Sequence, residues 1–181
     1  MSATEKKLDQ LNEYQKQMID IENYKYYQHA IDVFFYPAER LNLRLKADLQ
    51  ALRAELVEDG KTTPPFVKIP ISKYSDKLTE ILDYYINEGK FLGRPYPHLG
   101  KRQVKNSTTI IVTLESIKNM MTDAILEENR VEDTLKQLDS VDKLLAENIT
   151  LSKAIIEDIS KKMTAINIQL GRDYSKYSLQ K

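Results

Sequence analysis

Nine of the chain's eleven glycines and prolines lie between Gly60 and Gly100, which leaves a long stretch on either side almost free of helix breakers. The nine are Gly60, Pro64, Pro65, Pro70, Gly89, Gly93, Pro95, Pro97 and Gly100; only Pro37 and Gly171 fall outside. Inside a helix Gly costs ~1 and Pro ~3 kcal/mol relative to Ala, so the cluster marks a connector between two helical arms. The same scarcity argues against a β-sandwich or barrel, whose turns consume both residue types. With 41% apolar residues and 27 basic against 27 acidic side chains, the chain also lacks the low hydropathy and high net charge of disorder.

The C-terminal arm carries the clearest periodicity. From Ile110 to Leu170 a 3-4 spacing passes through eighteen positions, fifteen of them apolar. They include Leu114, Ile117, Met121, Val131, Leu135, Leu138, Leu145, Ile149, Ile156, Ile159, Met163 and Ile166. Such spacing keeps one stripe on one side of a gently supercoiled helix. With Asn106, Ser107 and Thr108 available as N-caps and Gly171 as the residue that ends it, the pattern predicts one helix over 107–170 and a mobile tail over 171–181. The alternative is two helices of about 30 residues, broken near Asp139-Ser140 or Asn148.

The N-terminal arm, 4–59, reads as helical, with a break or kink near Pro37. The connector, 60–106, holds an extended but proline-interrupted run at 66–71, a short helix over 72–88 closed by Gly89, and a basic loop. The fold class is therefore all-α: one helical domain over 1–181, an elongated antiparallel hairpin or bundle with coiled-coil-like packing and a long C-terminal helix.

Chemistry is sparse. Without cysteine there are no disulfides, thiolate nucleophiles or Cys-ligated metals. The two histidines, His29 and His98, lack the Glu-x-x-His spacing of di-iron bundles, and His-Glu-x-x-His is absent. Neither a phosphate-binding glycine loop nor a nucleophile elbow occurs. The expectation is a non-enzymatic chain with no cofactor and no metal. Its N-terminus has no apolar run and no stretch would span a bilayer, which predicts a soluble, cytoplasmic or otherwise intracellular protein.

Two features are candidate contact sites. The loop from Gly89 to Lys105 carries five positive charges, Lys90, Arg94, Lys101, Arg102 and Lys105, and no acid occurs between Glu88 and Glu115. With Phe91 and Tyr96 for stacking, it is a candidate for contact with nucleic acid or an anionic surface. The competing reading pairs these charges with an acidic stretch, since residues 115–159 sum to −6. The second feature is an aromatic cluster in which Tyr24, Tyr27, Phe34 and Phe35 are candidates for binding a partner, with core packing as the alternative. Glu128 and Asp142 interrupt the apolar stripe, as expected where a stem opens, meets a basic partner or fixes register. The triplets Asn106-Ser107-Thr108 and Asn148-Ile149-Thr150 have the form of glycosylation acceptors.

Because two helices alone bury little for their length, the stripe predicts further helical cover. The leading expectation is a structural or assembly protein that associates with itself or with other helical subunits. Nucleic-acid or anionic-surface binding through 90–105 is the alternative.

Overall fold

The computed structural model describes residues 1–62, 72–93, 100–122 and 128–178. Among these residues it is all-α. A first rod runs from Ala3 to Thr62 as α1 (Ala3–Ala30), a π-helical turn (Ile31–Phe35) and α2 (Tyr36–Thr62). Then come α3 (Ser72–Glu88), a 3-10 turn (Lys90–Gly93), α4 (Lys101–Thr122) and α5 (Glu128–Ser178). The 66–71 run and the loop tip at 94–99, with Arg94, Tyr96 and His98, lie outside the described residues.

Pro37 explains the π turn. It has no N–H to offer the carbonyl of Val33, and the Tyr36 N–H reaches back five residues to the Ile31 carbonyl. The helix therefore passes through the proline with one wide turn. At the other end, Ser2 caps α1: its Oγ accepts from the Glu5 N–H (3.2 Å), and the Glu5 carboxylate accepts from the Ser2 N–H.

The expected single helix over 107–170 is two helices, and the alternative break near Asp139 or Asn148 is not where they part. Helix α4 ends at Thr122 and α5 begins at Glu128. Gln103 Nε2 donates to Ser152 Oγ (2.9 Å), and Asn106 Nδ2 donates to Asn148 Oδ1 (2.9 Å). On one straight helix the latter pair would stand about 60 Å apart at 1.5 Å per residue. Folding back lets Ile110, Leu114, Ile117 and Met121 of α4 bury with Leu138, Val141 and Leu145 of α5. The 3-4 rhythm keeps its phase through the break, so periodicity alone reads straight across it. Helix α4 also begins at Lys101, earlier than expected, with Asn106 and Ser107 buried inside it instead of capping it. Gly171 does not end α5, which runs on to Ser178 through the segment expected to be a tail.

The helices α2, α3, α4 and α5 form a closed ring in which each packs on two neighbours. Each neighbour runs antiparallel to the next. Lys46 meets Asp142 and Glu39 meets Lys153 across α2 and α5; Lys77 meets Glu55 across α3 and α2. Leu45, Leu49, Leu52 and Leu56 of α2 face Leu78 and Leu82 of α3 and the apolar rows of α4 and α5 to make the core. Beyond this body α1 continues, with α5 the only helix packed extensively on it among the described residues. Together α1 and the end of α5 form a two-helix stalk.

Candidate functional site

The predicted aromatic site divides between body and stalk. Phe34 and Phe35 are 1% and 0% exposed, so they are core residues and offer nothing to a partner. Their rings meet edge to face at 4.9 Å, and Phe91 from the 3-10 turn stacks edge-on to Phe34 at 5.8 Å. Gly100, at φ +74°, closes the same pocket: a Cβ there would stand 2.6 Å from the Phe34 ring. Tyr24 and Tyr27 are half-buried against α5, and the Lys162 ammonium lies 5.9 Å from the centre of the Tyr27 ring.

The described basic residues stand on two elements that pack on each other, the 3-10 turn and α4. Lys90 is exposed on the 3-10 turn, whereas Lys101, Arg102 and Lys105 stand on the first turns of α4. Arg102 pairs with Glu147 of α5, so one of the four described cations is matched by the acidic stretch of its own chain. Asp142, one of the stripe's interruptions, accepts two hydrogen bonds from Lys46 (2.9 and 3.0 Å) and one from Gln50. The basic partner expected for it is thus supplied by α2.

Sequence reasoning missed a polar layer across the whole body. Asn148 of α5, 0% exposed, accepts from Asn106 and donates to Asn42 Oδ1 (3.3 Å), while Asn42 Nδ2 donates to the Ala38 carbonyl (2.7 Å). The Tyr85 hydroxyl lies 3.0 Å from Ser107 Oγ and 3.4 Å from Asn42 Oδ1. All four ring helices contribute, and among the described residues no buried side-chain nitrogen or oxygen lacks a partner. Burial pushes the Tyr85 phenol up to about 12, partly offset by its bond to Ser107. The signal was present in the two asparagine triplets, which read as glycosylation acceptors. Asn106 and Asn148 are instead buried and bonded to each other.

A shallow groove between α2 and α3 is lined by Arg44, Asp48, Glu55, Lys77 and Tyr84, which satisfy one another. The Arg44 guanidinium lies 4.0 Å over the Tyr84 ring and donates to its hydroxyl, and Lys77 pairs with Glu55 at 2.6 Å. His29 is exposed on α1. Among the described residues no group of three His, Asp or Glu side chains is placed to hold a metal ion.

The stalk is different in kind. On α1 the half-buried row that faces α5 is Glu13, Gln17, Asp20, Tyr24 and Tyr27. Leu11, Tyr14, Met18 and Ile21 follow the same 3-4 rhythm one position out of step, roughly 100° around the helix. They are exposed, Leu11 by 53% and Met18 by 61%, and Leu8 and Ile19 extend the surface. A row of large apolar side chains thus lies to one side of the face that α1 packs on α5.

Fold and surface place the chain in the class of all-α bundles with a projecting helical stalk. No protein family, curated protein or solved structure matches it. Among the described residues no helix is long and apolar enough to cross a membrane.

Proposed function

We propose that the protein is a non-enzymatic assembly component that joins other helices through the exposed face of α1. The observation that carries this reading is the row Leu11, Tyr14, Met18 and Ile21, exposed on a helix that, among the described residues, packs extensively on α5 alone of the other helices beyond the π turn. Monomeric surfaces rarely keep large apolar side chains contiguous, and a continuous row of them marks an interaction site. Helical spacing fits the row to another helix, since anchors at 3-4 intervals are what a helix-on-helix contact uses. The body's role is to hold α1 out: its ring is closed and its polar layer bonded within itself. The assembly acts inside the cell in this reading.

Sedimentation equilibrium of the purified chain, together with capture of helical proteins from its native lysate, tests the proposal. Association by either route is expected, and Met18→Asp/Ile21→Asp abolishes it without lowering the body's melting temperature. A chain that stays monomeric and captures nothing through this face sinks the reading.

A further inference from the structure

We infer that the occupant of the α1 face is the α1 of a second copy of this chain, laid antiparallel about a two-fold axis near Tyr14-Gln15. This inference rests on the assembly reading above and names its partner. The row is complementary to itself when reversed. With the axis there, Leu8 comes level with Ile21 of the other copy, and Leu11 with Met18. Tyr14 and Gln15 flank the axis. An isologous contact needs this property, because every residue on one side must find its match on the same surface turned around.

Charge then selects the direction. Lys7, Glu22 and Lys25 are exposed and fall on the same face as the apolar row. In the antiparallel register Lys7 comes level with Glu22 of the other copy twice over, and Lys25 meets the uncharged Thr4. A parallel pairing would stack Lys7 on Lys7, Glu22 on Glu22 and Lys25 on Lys25, and like charges brought together on helices are unfavourable. Asp9 and Asp20 come level in the antiparallel register as well. Asp20 belongs to the row that packs on α5, and Asp9 lies four residues before Glu13 of that row, so both stand away from the new contact. The result would be two stalks side by side, four helices in all, with a body at each end. That is the cover a two-helix segment lacks by itself.

The absence of cysteine makes the register directly readable, because any disulfide must come from introduced residues. Under mild oxidation the double variant Lys7→Cys/Glu22→Cys is expected to become a covalent dimer, with loss of that product in either single variant. Lys7→Glu is expected to raise the dimer dissociation constant by about fivefold through two rim pairs, and Lys7→Glu/Glu22→Lys to restore it. Circular dichroism on each variant confirms that the helices are intact. If both single cysteine variants cross-link as well as the double, the pairing is parallel and the inference is overturned while the assembly reading stands. A chain that remains monomeric but captures a different helical protein through Met18 and Ile21 overturns the second copy as occupant and again leaves the assembly reading. A monomer that captures nothing overturns both.

Discussion

Body and stalk share two rods, the one from α1 to α2 and the one formed by α5, yet they differ in how many neighbours each rod has. Where α2 passes through the ring, α3 and α5 flank it, and Leu45, Leu49, Leu52 and Leu56 are all buried. Where α1 continues beyond the ring, α5 covers only one side, and Leu8, Leu11, Met18 and Ile21 stay in water. Leucine at helical spacing therefore means core in one half of a rod and open surface in the other. What separates them is the supply of neighbouring helices, and the change falls near the π turn at Ile31–Phe35.

Truncation should break the comparison most sharply. Leu145→Ala, at a site with no exposure, is expected to destabilise the chain by about 2–5 kcal/mol in urea denaturation followed by circular dichroism. Leu11→Ala should change that measurement by less than about 0.5 kcal/mol and weaken association instead. Equal losses at the two positions would mean that the stalk is part of the core.

The polar layer sets a second contrast, in its response to pH. In the unfolded chain Tyr85 ionises at its ordinary value of 10.0, whereas in the body burial holds it to about 12. The folded state therefore keeps its proton while the unfolded state loses it. Stability is unaffected below pH 10 and falls as pH rises through 12, by about 3 kcal/mol for a shift of this size. Tyr85→Phe should remove that part of the alkaline slope, as read from melting temperature against pH.

Within the body the smallest effect belongs to the ion pairs along the rods. Lys46 and Asp142 are partly exposed at 2.9 Å, and Lys46→Ala should cost at most about 1 kcal/mol, shrinking in high salt. A loss of several kcal/mol, measured in the same denaturation experiment, would show that this pair and the neighbouring polar layer act as one unit.

Much of the architecture was legible in the residues. Breakers clustered between Gly60 and Gly100 coincide with the end of α2 at Thr62 and the start of α4 at Lys101, and the helix over 72–88 matches α3 from Ser72 to Glu88. Pro37 read as a break or kink, and it sits at the edge of a π turn inside a continuous rod. The break between Thr122 and Glu128 was not legible, because its apolar positions keep the helical rhythm and no Gly or Pro announces it. The aromatic cluster left core packing and a partner surface both open for a related reason. Spacing says which residues share a face, but it does not say how many faces are covered, and Phe34 and Phe35 are enclosed from several sides.

The sequence by itself determined that this chain is helical, where its breakers interrupt the helices and which side chains form rows, because breakers and periodicity act through local backbone geometry. Tertiary structure alone decided that the C-terminal row folds back on itself and that Asn42, Asn106 and Asn148 meet in one layer. It also decided that the same kind of row is core in α2 and open surface in α1. Those outcomes depend on contacts between residues far apart in the chain, such as Asn42 with Asn148 at a separation of 106 positions, and a local pattern holds no record of the neighbour that will arrive.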